Sequence, residues 1–313
     1  MSALRPTPGA PGGSGAPGGS GAAGELLSVS AVARRIGVAP ATLRTWARRY
    51  GIGPSSHEAG SHRKYCPADL AKLTIMRRLI SAGVAPADAA EQAKEHQGEV
   101  VIEEISSLCR ECDETINAIL NAVNALDSLF VETMLRNEIA ENGIISAWQE
   151  VFVPVLTKVG TEWEKSGKGI EIEHMLTEIL KRVLRESAAE IVVPINARPV
   201  LLASVGEELH SLALHALSAA LAERGIETHF LGARTPVEAI SSMVSRFAPP
   251  AVFLWAQLPV NGDPKFVTDL PAVRPAPRII IGGPGWNPDK CQNAHFVGSL
   301  TLAVDEIAMA VGA

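Results

Sequence analysis

PVLLASVGEELHSLALHALSAALAERG, Pro199 to Gly225, is the stretch whose reading decides the fold. Val200 to Val205 is a nearly continuous apolar run, which reads as a strand covered on both faces rather than a half-exposed one. Gly206 to Gly225 then reads as helical, and IETHFLG (Ile226 to Gly232) as a second strand. Pro236 to Phe247 has the length of a helix, and AVFLWAQL (Ala251 to Leu258) and RIIIGG (Arg278 to Gly283) read as further strands. Strands of the buried type alternating with helices predict an α/β doubly wound, Rossmann-like parallel sheet over residues 197–313. In such sheets ligands sit beyond the strand C-termini, where GEELH (Gly206 to His210) and GGPG (Gly282 to Gly285) fall. No GxGxxG follows the first strand and no GxxxxGK[ST] occurs, so neither a dinucleotide nor an NTP site is indicated.

The chain has 313 residues, 47 % hydrophobic and 20 % charged, an ordinary globular balance with room for two or three domains. No apolar run reaches the ~20 residues that span a bilayer, and no signal-peptide core is present, so a cytoplasmic protein without a membrane partner is expected. Cys66, Cys109, Cys112 and Cys291 are too few and scattered for a disulfide framework, and the Cys109-x-x-Cys112 pair has no second pair to complete a zinc site. The net charge of −6 is unevenly placed. Residues 26–97 hold 11 Lys and Arg against 5 Asp and Glu, whereas everything after them is acidic. A polyanion is therefore expected to meet the N-terminal part.

Residues 1–25 hold a near-repeat of GAPGGSG and read as a disordered tail. SVSAVARRIGVAPATLRTWARRYG, Ser28 to Gly51, follows. Val32, Ala33 and Ile36 mark a short amphipathic helix, with Ser30 as its expected cap, and Gly37 closes it. Pro40 opens a second helix with Thr42, Arg44, Thr45, Arg48 and Arg49 on its polar side and Leu43, Trp46 and Ala47 toward a core. Two helices around a glycine turn, arginines on the second, make a helix-turn-helix. GSHRKYCPADLAKL, Gly60 to Leu73, adds a basic hairpin and a further helix. Residues 26–97 thus resemble the winged helix-turn-helix DNA-binding domain of the MerR family. The resemblance implies that Thr42, Arg44, Thr45 and Arg48 face the major groove of double-stranded promoter DNA, with His62, Arg63 and Lys64 gripping its phosphates.

Between 101 and 190 helical periodicity dominates, through Ile116, Ile119, Leu120 and Val123, then Trp148, Phe152, Val155 and Leu156, then Leu176, Ile179, Leu180 and Val183. A four-helix bundle is expected. Inside it, WEKSGKGIEIEH (Trp163 to His174) carries two glycines, so two helices joined by a short loop are expected, with Trp163 and the pair Glu173-His174 facing one space.

Glu208-Leu209-His210-Ser211-Leu212-Ala213 resembles the Asp/Glu-x-His-x-x-Gly signature of cobalamin-binding domains. The resemblance implies that His210 ligates cobalt while Glu208 sets its orientation, and that Gly282 and Gly283 let the cofactor's tail approach. A MerR head, a bundle with Trp-x9-Glu-His and a cobalamin domain, in that order, resemble the CarH-type (CarH/LitR) adenosylcobalamin-dependent photoreceptor repressors over nearly all of the chain after residue 25. The resemblance implies a non-enzymatic repressor, a homo-oligomer (dimer or tetramer) that holds DNA in the dark with adenosylcobalamin bound. Trp163, Glu173 and His174 would surround the adenosyl group, light would break the cobalt–carbon bond, and carotenoid genes would be the targets. The sequence departs from that pattern at Glu164, where a His can follow the Trp, at Ala213 in place of Gly, and at Trp255-Ala256-Gln257 in place of Ser-x-Leu. Two alternatives stay open. One is a MerR-type regulator whose C-terminal domain senses cobalamin without light, or has lost it and mediates protein contacts. The other is a cobalamin-dependent enzyme component, against which the MerR-like head argues.

Overall fold

The computed structural model describes residues 26–55, 63–95 and 112–313. The expected tail, His62 of the wing, Cys109 and the junction expected between 97 and 101 lie outside these residues. The N-terminal head begins with β1 (Leu27–Ser28), which pairs antiparallel with β2 (Lys64–Tyr65). Between them lie α1 (Val29–Ile36) and α2 (Pro40–Tyr50). The cap of α1 is Ser28 rather than Ser30. Ser28 is the last extended residue and its hydroxyl accepts from the Ala31 amide at 3.3 Å, whereas Ser30 already lies within the helix. Gly37 ends α1 at φ +73°, which a glycine adopts without strain. Leu43 and Trp46 anchor α2 in the core. Two more helices follow, α3 (Pro67–Ser81) and α4 (Pro86–Glu95). Asp69 fixes the start of α3 by accepting from the Cys66 amide at 3.0 Å and from the Ser55 amide at 3.1 Å.

The bundle is built from α5 (Cys112–Asn124), α6 (Ser128–Ser146), a π-helical turn (Ala147–Phe152), α7 (Val153–Ser166) and α8 (Ile170–Ala188). Gly143 breaks α6 with φ 75° and ψ 167°. The Ile144 amide freed there donates to the Glu223 carboxylate at 2.9 Å. Gly167, in the left-handed region, closes α7, and α8 starts three residues later, giving the expected two helices and short loop.

The α/β part holds β3 (Val200–Val205), α9 (Leu212–Glu223), β4 (Thr228–Thr235), α10 (Val237–Phe247), β5 (Ala251–Trp255), α11 (Lys265–Thr268), β6 (Arg278–Gly282), β7 (His295–Val297) and α12 (Leu300–Val311). All strand pairs are parallel, in the order β4-β3-β5-β6-β7. The order reverses between β3 and β5, so the crevice beyond their C-terminal ends is where this topology places a ligand. The helix expected from Gly206 starts only at Leu212. Gly206 turns at φ +62°, and the next residues are held as a loop by the inward-pointing Glu208. Helix α9 is buried nearly all round because it is sandwiched between the sheet and α8. One apolar cluster joins Ile144 and Leu184 of the bundle to α9, α12 and one sheet face, and a second covers the other face beneath α10. Among the described residues no helix is long and apolar enough to cross a membrane.

Candidate cofactor cavity and DNA-facing head

Glu208 stands at the switch point. Its side chain is 0 % exposed. Oε2 accepts from the amides of Gln257 (2.8 Å) and Leu258 (2.9 Å), just past β5, and from Asn261 Nδ2 (3.0 Å). Oε1 accepts from the His210 amide at 2.9 Å and meets His210 Nδ1. Burial alone would push this carboxyl up. The amides of His210 and Leu258, with Asn261 and the imidazole, outweigh that and bring its pKa down to about 2. Glu208 is therefore an anion at neutral pH, and its charge makes Nδ1 the protonated ring nitrogen. Nε2 is left as the unengaged nitrogen of an imidazole that is 57 % exposed. A carboxylate–imidazole pair of this kind presents one well-aimed nitrogen ligand. One imidazole would suffice to hold a metal whose remaining ligands come with its own macrocycle.

His210 borders a cavity of about 940 Å³ between bundle and sheet. The bundle contributes Trp148, Leu156, Thr157, Glu173, Thr177 and Lys181, and the α/β part contributes Phe253, Trp255, Gln257, Gly282, Gly283 and the first residues of α12. Of the three expected cap residues, the structure brings Glu173 into this wall and leaves Trp163 and His174 outside it. Trp163 lies seven residues beyond Leu156, about 20° round the helix, so it continues the same stripe past the cavity's end. It is 39 % exposed there, and His174 is exposed beside Glu173. Trp148, Thr177 and Lys181 were not expected in the wall. Thr177 and Lys181 follow Glu173 at steps of four on one helix face, a spacing that identifies them once Glu173 is chosen.

The glycine pair lies in the cavity wall and is also closely packed against β5 and the residue after it. A Cβ on Gly282 would lie 2.6 Å from Phe253 Cζ, and one on Gly283 would lie 2.3 Å from the Ala256 carbonyl oxygen and 3.2 Å from Trp255 Cε3. The space is taken by the neighbouring strand β5 and its aromatic rings, so the absence of a Cβ serves strand packing as well as any ligand. Trp255 Nε1 is buried and has no hydrogen-bond partner.

In the head, Arg44 and Arg48 are exposed on α2, with Thr42 and Thr45 partly exposed beside them. The Thr45 hydroxyl donates back to the Ala41 carbonyl at 3.0 Å. Lys64 is exposed on β2 and Arg63, just before it, is half-buried.

Residues 27–95 match the profile of the MerR HTH family regulatory proteins, and residues 115–186 match that of a B12 binding domain. The second match covers most of α5 to α8, the helices that carry Trp163, Glu173 and His174. The chain thus carries, in order, a segment similar to the MerR regulators and one similar to B12 binding domains. More particularly, it is similar to two repressors of Myxococcus xanthus. With the HTH-type transcriptional repressor CarH it shares 29 % identity over 237 residues, 72 % of this chain and 77 % of the relative. With the HTH-type transcriptional repressor CarA it shares 26 % over 265 residues, 83 % and 87 % of the two chains. Among solved structures, the monomethylamine corrinoid protein of Methanosarcina barkeri aligns with a TM-score of 0.47 at 14 % identity, over 64 % of this chain and 99 % of that one. The two profile matches and the two repressors support a cobalamin-binding transcriptional regulator.

Proposed function

We propose that this chain is a light-responsive repressor that binds promoter DNA as an adenosylcobalamin-loaded homo-oligomer in the dark and releases it after light. The observation that carries the reading is the Glu208–His210 pair at the switch point, with its one unengaged ring nitrogen beside a large cavity. Adenosylcobalamin supplies a cobalt–carbon bond that light breaks. His210 Nε2 is placed to bind cobalt from the sheet side, and Glu208 keeps the ring's proton on Nδ1 and the ring in one orientation. Glu173, with Trp163 and His174 at the open end of the same helices, forms the opposite lid over the adenosyl side. The lid helix α8 packs along α9, so a change in what the lid covers is felt at the joint between bundle and sheet. In the head, Arg44 and Arg48 reach base edges and phosphates of the major groove, and Arg63 and Lys64 grip the backbone beside it.

The test is to mix the purified protein with adenosylcobalamin in the dark and follow absorbance and gel-filtration size through a green-light pulse. Co-elution of the chromophore with an enlarged dark species that shrinks after light supports the proposal. A protein that never retains the chromophore refutes it. A second reading is favoured by Phe253 and Trp255, which occupy the space beside the glycine pair. In that reading the chain senses cobalamin without light, or binds a ligand other than cobalamin. A bound chromophore with no light effect selects the first of these, and no chromophore selects the second.

A further inference from the structure

We infer that the corner between α5 and α6, Ala125-Leu126-Asp127, is the clasp through which the sensing bundle sets the position of the DNA-reading head. Asp127 receives two arginines of the head's α3. Arg77 Nη2 pairs with Oδ2, while Arg78 donates through Nε to Oδ2 at 2.9 Å and through Nη2 to Oδ1 at 3.1 Å. The three side chains are only 8 %, 13 % and 12 % exposed, so the cluster is screened from solvent. Two residues earlier, Ala125 abuts the turn of the helix-turn-helix. A Cβ on Gly37 would lie 2.8 Å from both Cα and Cβ of Ala125. The same three residues therefore seat the turn that positions α2 and hold the helix behind it.

Three features tie this corner to the bundle's state. Asp127 is also the N-cap of α6, its Oδ1 accepting from the Phe130 amide at 3.2 Å, so its carboxylate moves with the α6 axis. Arg78 lies 5.9 Å above the Phe130 ring in the first turn of that helix. Leu126 is held at φ +54°, a strained conformation for a branched residue that persists where the surroundings dictate it. Helix α6 packs on α8, which carries Glu173, Thr177 and Lys181 of the cavity wall, and on α9 behind it. One continuous apolar cluster runs from Val32 in the head to Val183 in α8. A buried ion pair tolerates little misalignment, because a charge left unpaired there is strongly unfavourable. The clasp therefore transmits a shift of α6 to the head instead of absorbing it.

The test compares the full-length wild type with Asp127→Asn, which keeps a capping side chain but removes the charge, and with Arg78→Met, which leaves the Arg77 pair in place. Small-angle scattering without ligand or DNA reads the head's docking. A larger radius of gyration in the variants, at unchanged helical content, is expected. Affinity for duplexes selected by the wild type from a random pool, with and without adenosylcobalamin in the dark, reads the coupling. The ratio of the two affinities is expected to fall at least fivefold toward one, while adenosylcobalamin uptake stays as in the wild type. This second arm rests on the proposed function, and the scattering arm does not. Folded variants with wild-type scattering and a wild-type ratio overturn the clasp. Should the wild type bind no adenosylcobalamin, the proposed function fails and scattering alone decides the clasp. Should Asp127→Asn not fold, Arg78→Met decides it.

Discussion

The two sides of the cavity are built differently. On the sheet side, a fully buried carboxylate gathers three backbone amides, the Asn261 amide group and the His210 ring at the ends of β3 and β5. On the bundle side, Glu173 reaches the wall from the first turn of α8, while Trp163 and His174, on the helix ends around the loop at Gly167 and Gly169, lie outside it, with Trp163 39 % exposed. The first is preorganised, its geometry fixed by backbone before any ligand arrives. The second draws its side chains from two helices joined by a short loop. Under the proposed function, a site divided this way keeps one ligand atom rigidly aimed and leaves the response to the bundle side.

The largest effect separating the two sides is expected from Glu208→Ala. It leaves five N–H donors, three of them backbone amides, without their acceptor, at about 1–3 kcal/mol for each buried one that water does not reach. A loss of about 4 kcal/mol in urea unfolding of the cofactor-free protein is expected, and a loss below about 1 kcal/mol would show that this side is not preorganised. Next comes acid. The Glu208 pKa is lowered from 4.5 to about 2, so the stability it contributes is complete above pH 4.5 and is lost as pH falls toward 2. That amounts to about 3 kcal/mol, and between pH 5 and pH 2.5 Glu208→Gln should lose less stability than the wild type by about that amount when unfolding is measured at both.

The joint between the two sides titrates higher. His215 on α9 stacks on Phe230 with ring centroids 4.4 Å apart. Burial, with Arg185 and Lys181 on α8 opposing a further positive charge and Glu178 only partly offsetting them, brings its pKa from 6.5 down to about 4. Its folded form stays neutral while the unfolded chain takes up a proton, so stability is complete above pH 6.5 and falls as pH drops toward 4. His215→Phe should be less acid-sensitive than the wild type across that window by about 2–3 kcal/mol in denaturant titrations. The smallest effect belongs to the lid. Trp163→Ala should change the stability of the cofactor-free protein by less than about 0.5 kcal/mol. Thermal unfolding checks this, and a loss several times larger would make Trp163 a core residue instead.

The sheet side was legible in the sequence because strand, turn and signature are contiguous: Val200 to Ala213 carries the buried strand, the acidic residue and the histidine within one short run. The bundle was legible for the same reason, since helix periodicity is local. What stayed hidden depends on contacts between distant segments. Gly143 gives no sign that Glu223 will cap the amide after it, eighty positions on, and Asp127 gives none that Arg77 and Arg78 will reach it. The glycine pair lies in the cavity wall, but its close packing against Phe253 and Trp255 depends on the register of β5 against β6, which no sequence pattern prints. The start of α9 moved because Glu208 turned inward for amides beyond another strand.

The proposed binding of cobalt by His210 has a direct test. The full chain, labelled with ¹⁵N only at histidine, is loaded with cob(II)alamin and its electron paramagnetic resonance spectrum is recorded. Coordination through His210 predicts that each cobalt line splits into a doublet from the spin-½ ¹⁵N, and that His210→Ala loses it. A triplet from unlabelled nitrogen, or a doublet that survives His210→Ala, would contradict the account.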